Sequence, residues 1–478
     1  MLRAEWVLRL ETLLEQALDE KLRRQMLAYT QRYDFQTGFL NYQSFQKALS
    51  GWMQEGRAGR QVALIWIEVL NLRREFALLG SKGAESLVIQ VAEALRSSVD
   101  DGAVLGRFSA RCFLVALQAP QFDKTERRRI QAIADALSPI RLLGSRSMLE
   151  VAAGVAFGPA DTKSPEDLMR FASLAASRAG YLRSPSVLAF RSAMDKDLMR
   201  DHQVEMEMHR GLDQGHFRLA YQPTVALTTG QVLGAEALIR WDHPEWGPVA
   251  PGKFIPIAER SSLIWRVLDF TLRNALKDAQ HWAGLGLEMP VISVNVSWAC
   301  LRRDDFIRSV RAVLAWLPTP ATKLEVEVTE SVLFDDEELF ARRVRQLKAM
   351  GVRVAIDDFG TRYTGFNVLK RVPLDSMKID RCFIHGIDRS EDMRSLCRTI
   401  VAMAQQLKLR TVAEGVERSE EMETLKRIGC DVAQGYLFER PVPAPEFAAF
   451  LRSWPERKQR LGFAYDGEAA EPERFIAC

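Results

Sequence analysis

The sequence predicts a mixed α/β protein of two domains, the second a closed (β/α)8 barrel. Three observations lead there. The chain is 478 residues long, more than one hydrophobic core ordinarily fills. Its C-terminal half alternates short apolar runs with stretches of helical periodicity, the order that builds parallel sheets covered by helices. Five of those runs hold a carboxylate or an amide that a buried strand has no packing reason to keep: Glu236 in 235–238, Asn295 in 291–295, Glu327 in 324–328, Asp357 and Asp358 in 352–358, and Glu414 in 411–415. A closed ring of parallel strands turns its strand ends into one mouth. Acids gathered there repel one another unless cations lie among them, so the strand ends alone predict a metal site.

Composition narrows the class. The chain is 47% apolar and 27% charged, with a formal net charge of +3. That balance is globular and gives no electrostatic case for a nucleic acid or an anionic membrane as partner. No apolar run approaches a membrane span in length and no signal-peptide pattern opens the chain, so a cytoplasmic location is expected. The six cysteines, Cys112, Cys300, Cys382, Cys397, Cys430 and Cys478, contain no CxxC pair. They read as reduced, buried, small apolar residues.

Residues 1–33 place Leu2, Trp6, Leu10, Leu13, Leu14, Ala17 and Leu18 at helical spacing, an amphipathic helix that either pairs with a second copy or packs on its own domain. Residues 34–190 mix strand-like runs at 62–67 and 112–117 with a helical run at 86–95, which predicts an α/β domain. Residues 191–213, with Met194, Leu198, Val204, Met206 and Leu212, read as a helical connector. Residues 214–455 alternate strand and helix over the length of a barrel. Residues 456–478 read as a charged, Ala- and Glu-rich tail with little order.

Eight segments follow one another in the second domain: Tyr221-Gln222-Pro223, Glu236-Ala237-Leu238-Ile239-Arg240-Trp241, Phe254-Ile255-Pro256-Ile257-Ala258-Glu259, Glu327-Val328-Thr329-Glu330, Asp357-Asp358-Phe359-Gly360-Thr361, Lys378-Ile379-Asp380, Glu414-Gly415-Val416-Glu417 and Gln434-Gly435-Tyr436. In that order and spacing they resemble the EAL domain family of cyclic di-GMP phosphodiesterases, over essentially all of residues 200–455. The resemblance implies a modified (β/α)8, TIM-like barrel whose mouth holds two divalent cations, magnesium or manganese. It implies Glu236, Asn295, Glu327, Asp357 and Asp358 as direct ligands, Asp357 bridging, with Glu414 supporting the second cation. Every donor is a hard oxygen, which suits magnesium or manganese better than zinc. Lys378 would orient or help deprotonate the attacking water and Gln434 would hydrogen-bond near it, with Glu236 and Glu414 in the same catalytic group. Arg240 would meet phosphate, Gln222 the ligand on the barrel floor, and Asp358 would face substrate as well as metal. The implied reaction opens one phosphodiester of cyclic di-GMP to give linear pGpG.

Each residue has a plainer reading. An isolated Asp or Glu is ordinarily a solvated surface group, and only the gathering of several at successive strand ends reverses that preference. Lys378 inside a ring of acids is paired whatever its role. Glu259 and Glu417 serve structural hydrogen bonds as readily as ligand contacts, and His243 and His385 read as surface or core histidines.

One departure stands out. The family's loop after the paired aspartates runs Asp-Asp-Phe-Gly-Thr-Gly-Tyr-Ser-Ser-Leu, and here Arg362 replaces its second glycine. A side chain does not adopt positive φ as cheaply as glycine. In the family this loop meets the glutamate matching Glu330 and links metal binding to dimer contacts, so Arg362 bears on rate and regulation while leaving every ligand present. Alternatively, Arg362 adds a contact to phosphate or to Glu330.

The first domain opens with Asp34-Phe35-Gln36-Thr37-Gly38-Phe39-Leu40-Asn41, and its pattern and spacing resemble the GGDEF diguanylate cyclases. Where that family has Gly-Gly-Asp-Glu-Phe, this chain has Ser109-Ala110-Arg111-Cys112-Phe113. Glu68 stands at an expected metal-binding Asp, Phe76 and Ala77 at an Asn-Asp pair near guanine, and Asp100 and Ala103 at the Arg-x-x-Asp of the inhibitory product site. The resemblance then implies a domain without cyclase activity that regulates, dimerises or docks a protein partner. The whole chain is read as a homodimeric phosphodiesterase. The rival readings are a cyclic di-GMP receptor and a docking scaffold. Receptors lose acids from the metal ring and this chain has lost none, which favours the enzyme.

Overall fold

The computed structural model describes residues 26–55, 60–137, 140, 149–181, 187–287, 290–315, 323–330, 336–360 and 366–463. Most of the N-terminal helix expected over 1–33 lies outside these residues; 26–30 are helical. The chain divides into two compact units between Arg200 and Asp201.

The described part of the first unit comprises β1 (Leu40–Asn41), α1 (Tyr42–Glu55), β2 (Gln61–Val69), α2 (Leu72–Ser98), β3 (Val104–Ser109), β4 (Cys112–Ala119), α3 (Lys124–Asp135), β5 (Val151–Gly158), α4 (Pro165–Tyr181), β6 (Leu188–Ala189) and the start of α5 (Ser192–Gln214). One sheet runs β1-β3-β4-β2-β5-β6, with β2 antiparallel to both β4 and β5. The apolar run at 62–67 does not alternate with polar residues because both sheet faces are covered. Ala63, Ile65 and Ile67 pack with Leu87, Val91 and Leu95 of α2, while Val62, Leu64 and Trp66 pack with Phe45, Leu49 and Ala172 of α1 and α4. Helix α4 lies so close to β5 that a Cβ on Gly154 would stand 2.0 Å from the Ala176 nitrogen.

The second unit comprises the rest of α5, β7 (Phe217–Ala226), β8 (Val232–His243), β9 (Gly247–Val249), α6 (Pro251–Arg260), α7 (Leu263–Gly284), β10 (Val291–Asn295), α8 (Trp298–Leu301), α9 (Phe306–Leu314), β11 (Lys323–Thr329), α10 (Glu337–Lys348), β12 (Arg353–Phe359), α11 (Phe366–Arg371), β13 (Ser376–Ile379), α12 (Glu391–Gln406), β14 (Arg410–Ala413), α13 (Ser419–Ile428), β15 (Val432–Ala433), β16 (Val442–Pro443) and α14 (Ala444–Arg460). Among the described residues eight strands close a ring: β8, β10, β11, β12, β13, β14 and β15 run parallel, and β7 joins the ends by pairing antiparallel with β15 and β8. The barrel is therefore modified at β7, whose short turn into β8 leaves no room for a helical crossover.

Register decides what the barrel encloses. Ser293 pairs with Glu236 and Glu325, Asn295 with Glu327, Glu327 with Ala355, and Ala355 with Ser376. Residues two apart on a strand share a face, so polar side chains stack inward in two layers. In the lower layer Glu325 accepts from Ser293 Oγ (2.9 Å) and Ser376 Oγ (2.8 Å). Apolar partners such as Ile292, Val294, Val326 and Met377 face the helices, where the main core lies.

Two sequence readings need correction. The tail expected from 456 begins later: α14 continues to Arg460, Lys458 and Phe463 are buried, and Trp454 Nε1 donates to the Gly230 carbonyl (2.8 Å). A Cβ on Gly230 would lie 2.5 Å from the Phe463 ring, so this stretch is held by packing that its composition hides; residues 464–478 lie outside the described residues. Cys112, Cys300, Cys397 and Cys430 are buried, but Cys382 is exposed on the turn after β13, where its N–H donates to the capping Asp380 carboxylate (2.9 Å). No helix among the described residues is long and apolar enough to cross a membrane.

Candidate active site at the barrel mouth

Lys378, from the inward face of β13, stands at the centre of the mouth and is 2% exposed. Its Nζ donates to Glu327 Oε2 (2.7 Å) and Glu236 Oε2 (3.2 Å) and forms ion pairs with Glu414 Oε1 (2.7 Å) and Asp357 Oδ1 (3.5 Å). Glu236 lies in the middle of β8, not at its end as the sequence pattern implied, because β8 runs on past the barrel to pair with β9. Asn295 Nδ2 donates to Glu236 Oε1 (2.6 Å) and Gln434 Nε2 to Glu236 Oε2 (2.7 Å). Gln434 Nε2 also reaches Gln222 Oε1 (3.0 Å), and Gln222 Nε2 donates to the Glu439 carbonyl (3.1 Å). Gln434 Oε1 is buried with no hydrogen-bond partner among the described residues. An orphan acceptor of this kind is an anchoring point for water or substrate.

Successive residues of a regular strand point to opposite faces, so Asp357 and Asp358 cannot both face the mouth without a distortion. The distortion is present. Register slips between Ile356 and Phe359, and Asp358 takes a left-handed φ of 54° while its N–H bonds Asp357 Oδ1 (3.0 Å). For a residue with a side chain this conformation costs roughly 1–3 kcal/mol, a strain typical of functional positions. The result is that oxygens of Asp357, Asp358 and Glu414 lie within 4.8 Å of one another.

The electrostatics of the cluster are unbalanced. Five carboxylates face one ammonium. Burial opposes the charge on Lys378, but Asp357, Glu236, Glu327 and Glu414 outweigh it and hold the ammonium firmly protonated. Burial and then Glu236 drive Glu327 well above the usual carboxylate range, against the pull of Lys378. Burial pushes Glu414 up to about 8, with Lys378 opposing and Asp357 and Glu236 adding. Burial, then Asp357 and Asp380, push Asp358 up to about 6. Glu236 goes the other way: burial raises it, but Lys378 and the Gln434 and Asn295 donors together lower it. Buried acids held above the usual carboxylate range for want of positive charge, with oxygen donors throughout, fit a divalent cation.

Glu330, 1% exposed just beyond β11, accepts from the Gly360 N–H through Oε2 (3.1 Å), so the loop after the paired aspartates does meet this glutamate. Arg362 and Thr361 lie outside the described residues. Arg240, half-buried four residues beyond Glu236, makes a bond from Nη1 to the Ile239 carbonyl (2.9 Å) and feels the charge of Glu236 without an ion pair to the acid cluster among the described residues. His243 is buried, stacked on Trp246 (4.0 Å) and close to Glu207, and has no part in the mouth. The sequence reading passed over Asp380, whose charge helps raise Asp358; its position two residues after Lys378 was the available signal.

The EAL domain family matches residues 205–441, and the family described as diguanylate cyclase, GGDEF domain, matches residues 31–181. Among curated proteins, cyclic di-GMP phosphodiesterase NbdA of Pseudomonas aeruginosa is 32% identical over 446 residues, 93% of this chain and 56% of that protein. Among solved structures, the EAL enzyme Bd1971 in its cAMP and cyclic-di-GMP bound form has a TM-score of 0.51 at 27% identity, over 64% of this chain and 82% of that one. The S helix-GGDEF-EAL part of Vibrio cholerae LapD has a TM-score of 0.54 at 16% identity, over 88% of this chain and 99% of that one, a likeness of fold. The chain spans about half the length of the first curated relatives it matches, 56% and 52%.

Proposed function

The chain belongs to the tandem GGDEF–EAL family, and from that membership we propose that its barrel hydrolyses cyclic di-GMP to linear pGpG with two divalent cations, magnesium or manganese. The observation that supports this most is the intact ring of Glu236, Asn295, Glu327, Asp357, Asp358 and Glu414 around Lys378, whose charge is balanced only when cations join it. When bound there, cations supply charge neutralisation at the phosphate and a nucleophilic water at neutral pH.

The chain's own groups do the rest. Lys378, held charged by four carboxylates, is a poor base and a good electrostatic anchor: it orients a water and stabilises the negative charge that develops on phosphate. Gln434, fixed through its Nε2 by Glu236 and Gln222, presents Oε1 as an acceptor that aligns that water. Arg240 offers a planar guanidinium to a phosphate at the rim, and Gln222 lines the floor. Asp358, strained toward Asp357 and Glu414, would help hold a cation and face substrate.

In the first unit Arg111 Nη2 pairs with Glu68 Oε1 (3.0 Å). A guanidinium stands beside the carboxylate where the resemblance calls for a metal, and no acid remains in 109–112. This supports a first domain without cyclase activity, acting as a regulatory, dimerising or partner-docking module. The reading extends to a cytoplasmic homodimer, which sedimentation of the purified chain and cell fractionation test.

The deciding experiment incubates the full chain with cyclic di-GMP and magnesium or manganese and follows pGpG by chromatography. Product is expected from the wild type and none above background from Glu236→Ala. Tight binding without product would instead make the protein a receptor, and neither would make it a docking scaffold.

A further inference from the structure

One buried side chain touches two loops of the mouth at once. Glu421, at the start of α13, is 0% exposed. Its Oε2 accepts from the Glu417 N–H (3.0 Å) and the Arg418 N–H (3.1 Å), which caps the helix and shapes the turn that begins at Glu414. Its Oε1 accepts from Arg418 Nη2 (3.1 Å) and from the Gly386 N–H (3.0 Å), which belongs to the loop after β13 and Lys378. Arg418 makes the same crossing, with Nη1 donating to Asp388 Oδ2 (3.1 Å) and Nη2 to Asp388 Oδ1. Capping α13 needs only the local N–H groups; the bonds to Gly386 and Asp388 do something more.

The turn is closely packed on its neighbours. A Cβ on Gly415 would stand 2.6 Å from Arg381 Cβ, and one on Gly435 would stand 2.0 Å from the Val416 carbonyl. Glu414 N–H bonds the Ile379 carbonyl (3.1 Å) and Val416 N–H the Gln434 carbonyl (3.1 Å). The loop after Lys378 and the segments carrying Glu414 and Gln434 are thus knitted together, and the Glu421 and Arg418 side chains span the first two.

We propose that Glu421, with Arg418 and Asp388, is a positioning residue that sets Glu414 against Lys378 and thereby the affinity of the mouth for a divalent cation. The proposal rests on the hydrolase reading above. Glu421→Gln keeps the volume but turns an NH2 group against backbone donors, so one of the two links must open. Arg418→Gln removes the crossing to Asp388 while leaving Glu421 and its backbone acceptances in place.

Calorimetric titration of the full chain with manganese chloride alone reads the site without turnover. Affinity is expected to fall about ten- to a hundredfold in Glu421→Gln, the range for lost outer-shell support, with a weaker fall in Arg418→Gln. The KM for cyclic di-GMP should stay near the wild-type value. Melting points that drop while manganese affinity holds would reduce Glu421 to a helix cap and overturn the proposal. If Glu421→Gln fails to fold, Arg418→Gln carries the same test. A wild type that takes up no manganese overturns the hydrolase reading together with this one, whereas uptake unchanged in both variants overturns this one alone.

Discussion

At the scale of single residues the mouth is a set of acids whose protonation states are set by burial and then by one another. Glu414 is raised by burial to about 8 and Asp358 to about 6. In the metal-free chain both hold protons at a pH where the unfolded chain, with carboxyl pKa values near 4, has released them. Folding then takes up protons at these two groups, so their contribution to stability is greatest at low pH and falls as pH rises from about 4 toward about 8. A bound cation favours the ionised forms and opposes that loss. Calorimetric melting from pH 5 to 8.5 should therefore show a gap between manganese-loaded and metal-free protein that widens with pH. Parallel curves would mean these carboxyls are not the cation's seat. Glu236 could be read from the sequence by type and spacing, but not its mid-strand place, which depends on how far β8 extends to meet β9.

At the scale of elements, function depends on how closely strands and turns approach. Gly435 admits no side chain, since a Cβ there would lie 2.0 Å from the Val416 carbonyl. Gly435→Ala should push the 414–418 turn outward and misplace Glu414 by an ångström or so, costing about a hundredfold in kcat with little change in KM. Steady-state kinetics on folded variant checks this, and an unchanged kcat would show that the turn tolerates displacement. Glu330 holds Gly360, two residues before Arg362 in the sequence. Arg362→Gly should raise turnover if a left-handed residue is wanted there, and an equal rate would remove loop shape as the constraint. The bulge that turns Asp358 inward was not legible in the sequence. Two adjacent aspartates on a strand read as one inward and one outward, and only the register slip with its strained φ brings both to the mouth.

At the scale of the whole molecule, closing eight strands through an antiparallel β7 makes a barrel whose interior is polar and whose core lies outside the ring. Such a body holds its acids together by packing at a cost in repulsion, so ligand binding should stabilise it measurably. At a free magnesium or manganese concentration a hundred times the dissociation constant, the linkage gain is about 2.7 kcal/mol. For a unit of this size that corresponds to a rise of roughly 5–10 °C in the melting transition of the barrel. A transition unmoved by either ion would contradict the metal site. At the hairpin of the first unit Glu68 already has a cationic partner in Arg111.

What the sequence determined by itself was periodicity and chemistry: two α/β units, the alternation that makes a barrel, and the acids and amide of the mouth, each visible as a polar residue in an apolar run, with Lys378 added by the family resemblance. These are local properties, set by side-chain type and by the two- and 3.6-residue repeats of strand and helix. The tertiary structure alone decided which groups share one ammonium, that Asp358 turns inward, that the last helix reaches Arg460, and that Glu421 spans two loops. Those outcomes depend on barrel register, on a strand bulge and on contacts between residues far apart in the chain, such as Trp454 with Gly230. No window of neighbouring residues contains that information, because it resides in how closed strands stagger against one another.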